Sequence, residues 1–272
     1  MKRSLYLNES FRGVSIIRDG PSVLLRENYS APRRVPAQFI NKVFVIGNIR
    51  FDSASIELFA ENNVPVIFMN RKGEEIAITI PYNHRLPVHY EEQKVILQSE
   101  KNICQYLRWA KAKRSIIQLN VLKRLFKKIA YKFNREIGEG NYQYLLKKLK
   151  PEEEKWTTVT GAITNLFRGL ITERILKSGL DPHTGVIHRR HNFGFVLDIC
   201  HIISAEIDYQ ALGFFKSSAN DKLITKSTSG WEITNSGMLN IINRFENKSE
   251  YLQLLVDEII DEIFELIREL RT

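Results

Sequence analysis

Short apolar runs dominate the first eighty residues. SLYLNES, GVSIIRD, SVLLREN, KVFVIGN and VPVIFMNRKGEEIAITI are rich in Val and Ile, and turns such as RDGPS and NRKGEE separate them. Runs of this length between turn residues predict strands. One helix interrupts them. SASIELFAENN places Ile56, Leu58, Phe59 and Ala60 on an apolar side, with Ser53 as the predicted cap. The pattern changes at IPYNHRLPVHY, residues 80–90, which carries Pro81 and Pro87 and little periodicity. From Glu91 onward the apolar positions recur at helical spacing. Residues 92–150 read as helical up to Pro151, and TGAITNLFRGLITERILKSG reads as a second helix closed by Gly179. Residues 193–212 predict another helix and SEYLQLLVDEIIDEIFELIREL a last amphipathic one. The expected fold is α+β and multidomain. A small N-terminal β-rich domain with one helix (residues 1–82) leads through a linker (83–90) to a larger all-α C-terminal domain (91–272). No internal repeat or low-complexity tract is visible.

Composition adds a partner class. The 272 residues carry a formal charge of +9, which attracts polyanions but says nothing about fold. The charge is concentrated in RWAKAKRSIIQLNVLKRLFKKIAYKFNR, residues 108–135, where aromatics interleave with Lys and Arg and acids are absent before Glu136. Lys111, Lys113, Arg114, Lys123 and Arg124 are candidate contacts to DNA or RNA phosphates; a solvated helix face is the alternative. The two cysteines, Cys104 and Cys200, have no CxxC spacing and suit a reducing compartment. No apolar run approaches the ~20 residues that span a bilayer. The start, MKRSLYLNESF, lacks the apolar core of a signal peptide. A cytoplasmic protein without membrane contact is expected.

Candidate chemistry lies in SGLDPHTGVIHRRHNFGFVLDICH, residues 178–201, which holds four of the six histidines. Asp181-Pro182-His183-Thr184-Gly185 reads as a type I turn. That reading leaves His188, Arg189, Arg190, His191, Asp198 and His201 unexplained. Asp198 and His201 are three apart, on one helix face. Mixed nitrogen and oxygen donors suit Mn²⁺ or Zn²⁺ better than Mg²⁺, and a solvated polar turn is the alternative. In REIGEGNYQYLL, Glu139 sits between Gly138 and Gly140, whose small size allows close approach of a ligand. A helix break with surface acids is the plainer reading of these residues taken alone.

In order along the chain, four segments together resemble the CRISPR-associated adaptation integrases, the "Cas one" family of metal-dependent DNA endonucleases. They are VPAQFINKVFVIGNIRFDSASIELFAENNVPVIFMNRKGE, GEGNYQYLL, GAITNLFRGLITERILKSGLDPHTGVIH and WEITNSGMLNIINRFENK. The resemblance implies a β-rich domain followed by a helical one, a homodimer, and one Mn²⁺ or Mg²⁺ site in the helical domain. It implies cutting and joining of double-stranded and branched DNA, with short foreign fragments inserted as spacers into a CRISPR array alongside a small ferredoxin-like partner. Carried over, the catalytic residues are Glu139, His188 and Asp198, with His201 as a further ligand. Arg189 and Arg190 join the basic stretch as nucleic-acid contacts.

The chain departs from that pattern after Asp198. LDICHIISAEID puts His201 and Ile202 where acids are usual and Ser204 and Ala205 in place of Arg-Pro, while Asp208 keeps its place. The segment between Glu139 and His188 is shorter than usual in the family, so Glu136 stands as the alternative to Glu139. An imidazole in place of a carboxylate shifts preference from Mg²⁺ toward Mn²⁺ and lowers affinity below about pH 6.5. A DNA-binding scaffold of the adaptation complex without catalysis, and a stand-alone structure-selective repair nuclease, are the alternative functions.

Overall fold

Among the described residues the five apolar runs of the N-terminal segment form six strands, and two short strands, Arg33–Pro36 and Arg50–Phe51, that the sequence reading did not expect join them. The computed structural model describes residues 3–9, 14–28, 30–70, 75–79, 87–126, 137–216, 220–227 and 230–271, and the chain divides into two units, Met1–Arg85 and Leu86–Thr272. In the first, the strands are β1 (Arg3–Asn8), β2 (Ser15–Asp19), β3 (Ser22–Arg26), β4 (Arg33–Pro36), β5 (Ile40–Ile46), β6 (Arg50–Phe51), β7 (Val66–Met69) and β8 (Glu75–Thr79). They form two four-stranded sheets, ordered β1-β5-β7-β8 and β4-β3-β2-β6. In the first sheet β1, β5 and β7 run parallel and β8 is antiparallel to β7. The parallel step from β5 to β7 needs a crossover, and helix α1 (Ser53–Glu61) lies on it. Alternate residues of β1 and nearly all of β5 enter the core, where Leu5, Leu7, Val43 and Val45 pack with Leu58 and Phe59 of α1.

The cap of α1 falls one residue earlier than predicted. Asp52, not Ser53, accepts the Ser55 N–H at 2.9 Å, and its second oxygen accepts the Arg18 N–H at 3.0 Å. A carboxylate serves two donors at once, which a serine hydroxyl here would not.

The second unit is helical. Its helices are α2 (Tyr90–Gln93), α3 (Glu100–Leu125), α4 (Glu139–Lys147), α5 (Glu153–Ser178), α6 (Gly194–Ile202), α7 (Ser204–Phe215), α8 (Asn220–Leu223), α9 (Asn235–Glu246) and α10 (Ser249–Arg271). Helix α5 spans 26 residues, or about 39 Å. Leu166, Phe167, Gly169, Leu170 and Ile171 are all buried, so its middle is packed on most sides, as in a central helix, with Arg168 half-buried and Asn165 the buried polar residue beside it. Helix α10 instead buries a single stripe, Leu252, Val256, Ile259, Ile263 and Ile267, at intervals of three and four.

Two features differ from the sequence reading. The helix expected over 193–212 is broken at Ile203 into α6 and α7. The unit also carries a hairpin of β9 (Ile224–Ser227) and β10 (Gly230–Ile233), paired antiparallel with Trp231 opposite Lys226. Four-residue strands in the polar run ITKSTSGWEI give no period to detect. Among the described residues, no helix is long and apolar enough to cross a membrane.

Candidate active site

Helix α5 ends where sequence requires it to. Gly179 adopts φ 74° at its C-terminus, the left-handed conformation that glycine takes without strain. The chain then makes a tight excursion back to α6. Gln93 anchors its start: the Asp181 N–H donates to Gln93 Oε1 at 2.7 Å, and Gln93 Nε2 donates to the Asp181 carbonyl at 3.1 Å. The Asp181 carboxylate accepts the His183 N–H at 3.2 Å and the Thr184 hydroxyl. Gly185 and Gly194 close the excursion. A Cβ on Gly185 would lie 2.5 Å from the Gly194 carbonyl carbon, and one on Gly194 would lie 2.5 Å from the His188 carbonyl oxygen. Between them Phe193 holds φ 56°, with its N–H donated to His183 Nδ1 at 3.2 Å.

Asp198 of α6 organises this loop from beneath. It is fully buried. Its Oδ2 accepts the N–H groups of Val186 at 2.6 Å and Ile187 at 3.1 Å, and its Oδ1 accepts the His188 N–H at 2.9 Å and His188 Nδ1 at 2.8 Å. A carboxylate only accepts, so Nδ1 carries a proton and Nε2 is the ring nitrogen left for another partner. Tyr106 of α3 is also wholly buried. Burial, and then the charge of Asp198, push its hydroxyl well above the usual phenol range.

Glu139 stands in the first turn of α4, where the helix dipole favours a negative group. Arg114 of α3 donates to it in a fork, Nε to Oε2 and Nη2 to Oε1, both at 3.1 Å. Gln118 Nε2 donates to Oε2 at 2.7 Å and Gln143 Nε2 to Oε1 at 2.8 Å. Burial raises the carboxyl's pKa, but the bonds from Arg114, Gln143 and Gln118 outweigh it and hold it at about 2. The other amine of Arg114 donates to the His201 carbonyl and to Ser204 Oγ. The break at Ile203 puts that carbonyl at the end of α6, where a donor is needed. One guanidinium therefore ties α3, α4 and the α6–α7 junction together.

The histidines gather around His188. The His191 ring centroid is 5.7 Å away and the His201 centroid 6.3 Å. Ring desolvation, and then the charges of Arg114 and His188, lower the pKa of His201, which favours its neutral form. Arg189 and Arg190 are exposed beside His188.

The expected residues thus fall into one region of the helical unit but not into a ligand cage. Among the described residues, no three His, Cys, Asp or Glu side chains are arranged to hold a metal ion. Asp198 is turned inward with both oxygens engaged, and Glu139 is gripped by Arg114. Glu136 lies outside the described residues. The basic stretch also behaves differently from a row of phosphate contacts. Lys113 is buried and donates to Glu258 at 2.6 Å and Glu262 at 2.5 Å. Arg124 pairs with the buried Glu206 and lies 4.3 Å from the centre of the Tyr209 ring, and Arg114 serves Glu139. Lys111 and Lys123 remain exposed. Sequence reasoning missed Gln118, Gln143 and Tyr106. The four-residue spacing of Arg114 and Gln118 on α3 was the available signal.

Comparison with known proteins follows this geometry. The family described as CRISPR associated protein Cas1 matches residues 5–157. A Cas1 protein from Thermotoga maritima shares the fold with a TM-score of 0.79 at 18% identity, over 97% of this chain and 97% of that one. A casposase bound to its integration product superposes with a TM-score of 0.75 at 16% identity, over 99% of this chain and 91% of that one. TtCas1 in complex with DNA gives 0.54 at 12% identity, over 98% and 96%. Comparison with curated proteins finds no match.

Proposed function

The chain belongs to the Cas1 family, and from that premise we propose that it is a metal-dependent DNA integrase and nuclease that inserts DNA fragments as spacers into a CRISPR array. One observation carries the reading. A fully buried carboxylate, Asp198, fixes His188 so that Nε2 is the free nitrogen, the arrangement by which second-row acids orient histidine ligands. Structures of similar fold hold an integration product in one case and DNA in another, which supports DNA as the substrate class.

The proposed donors for a divalent cation are a carboxylate that stays ionised, Glu139, and the imidazoles of His188 and His201, which have to close in from the arrangement described above to share one ion. When bound there, Mn²⁺ or Mg²⁺ would polarise the scissile phosphate and stabilise the charge that builds on its oxygens. The nitrogen-rich set favours Mn²⁺. Asp198 becomes a positioning residue in this reading, acting through His188. Arg114 keeps Glu139 ionised and aimed, and must yield part of its fork when a cation arrives. Arg189 and Arg190 hold the backbone without reading sequence. In the reaction a DNA 3′-oxygen forms a bond to phosphorus as the bond to the departing 3′-oxygen breaks. The attacking hydroxyl loses one proton and the departing oxygen gains one, so phosphodiester bonds are conserved. With water as the attacking group the outcome is cleavage.

The family also supports a homodimer working with a small ferredoxin-like partner. The test is strand transfer of a labelled fragment bearing free 3′-hydroxyls into a supercoiled array-containing plasmid. Mn²⁺ is expected to support it, and Glu139→Gln or His188→Ala to reduce it by at least ~10²-fold with DNA binding retained. Full activity in both variants removes the assignment. DNA binding without transfer under any metal leaves a non-catalytic scaffold, the reading that Arg114's grip on Glu139 favours.

A further inference from the structure

A second concave site lies elsewhere in the helical unit. Helices α7 and α9 bound an open cavity of about 360 Å³ lined by Tyr209, Gln210, Lys216, Arg244, Asn247 and Lys248, with no acid among its lining residues. It shares no residue with the site around Glu139 and His188. Arg244 Nε is buried without a hydrogen bond, and among the described residues no ion pair engages Arg244, Lys216 or Lys248. Helix α7 makes room for this guanidinium. A Cβ on Gly213 would lie 2.1 Å from Arg244 Nη2 and 3.0 Å from its Cζ, so a larger residue there would push the guanidinium aside.

Three cationic residues line one concavity, and an anion held there relieves their mutual repulsion. The chemistry is specific. A guanidinium presents paired donors that match two oxygens of one phosphate. The lysines add mobile charge, and the Gln210 and Asn247 amides and the Tyr209 hydroxyl add neutral donors. A carboxylate ligand would use the fork but leave the surrounding donors without partners. The volume is at the small end for ligand pockets and the cavity is open, which suits one phosphate of a chain that continues along the surface.

We infer that this cavity binds a backbone phosphate of a nucleic-acid strand, as a contact separate from the reaction centre. The choice of nucleic acid over free phosphate rests on the reading that the chain handles DNA. The inference gives Gly213 and Arg244 a joint role: one supplies the space, the other the fork.

The test uses the full chain in EDTA, so that no divalent ion contributes. Fluorescence anisotropy of a labelled duplex is measured across a salt series for wild type, Arg244→Gln, Lys248→Gln and Gly213→Ala. Arg244→Gln is expected to weaken binding roughly 5- to 10-fold and to lower the slope of log K against log salt by about 1. Gly213→Ala removes no charge, yet displaces the guanidinium, and is expected to weaken binding in the same direction. Lys248→Gln changes an exposed side chain, so it keeps the test valid if Arg244→Gln unfolds. Unchanged affinity and slope in the folded variants overturn the inference. Inorganic phosphate is titrated in parallel by calorimetry. Phosphate binding that Arg244→Gln abolishes, with DNA affinity untouched, overturns the nucleic-acid source and leaves a free-phosphate site. Absence of strand transfer with this binding pattern intact sinks only the catalytic reading.

Discussion

Replacing Asp198 by alanine removes one carboxylate and leaves four donors without an acceptor. Three are the N–H groups of Val186, Ile187 and His188, and the fourth is His188 Nδ1, at 2.6 to 3.1 Å in the native site. Hydrogen bonds to a charged group contribute about 1.5–3 kcal/mol each, but they are not additive where donors regain water. Val186 is buried, whereas Ile187 is exposed and His188 partly so, so solvent can reach some of the stranded donors. Removing one side of a buried charged network costs about 3–5 kcal/mol, and about 4 kcal/mol is expected here. For a unit of this size that is a fall of roughly 8–16 °C in melting temperature. Urea denaturation followed by circular dichroism measures it directly. Asp198→Asn keeps the volume but turns an NH₂ toward amide donors, and about 2–3 kcal/mol is expected. It also frees the His188 tautomer, which ¹⁵N-histidine NMR reads as protonation moving between Nδ1 and Nε2. A loss below ~1 kcal/mol for Asp198→Ala would refute the reasoning, because a fully buried carboxylate with four donors cannot be removed that cheaply.

Asp208 carries a pH signature. Burial pushes its carboxyl from 3.8 up to about 6, against the pull of the Tyr142 hydroxyl, Lys150 and Arg114. Its folded pKa lies above its unfolded one, so its contribution is fully present below pH 3.8 and is lost as pH rises through about 6. The loss is at most ~3 kcal/mol. Asp208→Asn is expected to flatten stability between pH 4 and 7, and an unchanged pH profile contradicts it. Lys113→Gln breaks the contacts of the buried Lys113 amine to the exposed Glu258 and half-buried Glu262 and is expected to destabilise the chain by about 1–2 kcal/mol. Its DNA affinity is expected to stay within about twofold of wild type; a large loss of affinity in a protein of native stability would restore Lys113 as a phosphate contact. Gly194→Ala puts a methyl against the His188 carbonyl and is expected to cost more than ~2 kcal/mol, checked by thermal melting; native stability would show that the loop relaxes freely.

Local pattern carried most of the elements because each depends on residues near it in sequence. The Val- and Ile-rich runs are strands, and Pro151 and Gly179 bound α5. What escaped depends on distant partners. Nothing within residues 108–135 reveals that Lys113 meets Glu258 and Glu262 or that Arg124 meets Glu206. Those acids lie on α10 and α7, so a stretch that reads as a continuous cationic face has several of its charges neutralised. The ten-residue spacing of His188 and Asp198 was visible, but not that the loop between them folds over the carboxylate. The glycines at 185 and 194 belonged to a turn in sequence, and only the fold brings them into contact. The His201 substitution was legible, and so was Ser204, but their common partner, Arg114, was not.

The central claim is that His188 Nε2 and the Glu139 carboxylate hold one divalent cation while Asp198 fixes the imidazole from behind. An anomalous-scattering map from crystals grown with Mn²⁺ tests it most directly. The account predicts one strong peak within coordination distance of both atoms, with Arg114 partly released and Asp198 still bonded to His188 Nδ1. A peak ligated by Asp198 in place of His188, or no peak at a saturating Mn²⁺ concentration, contradicts it.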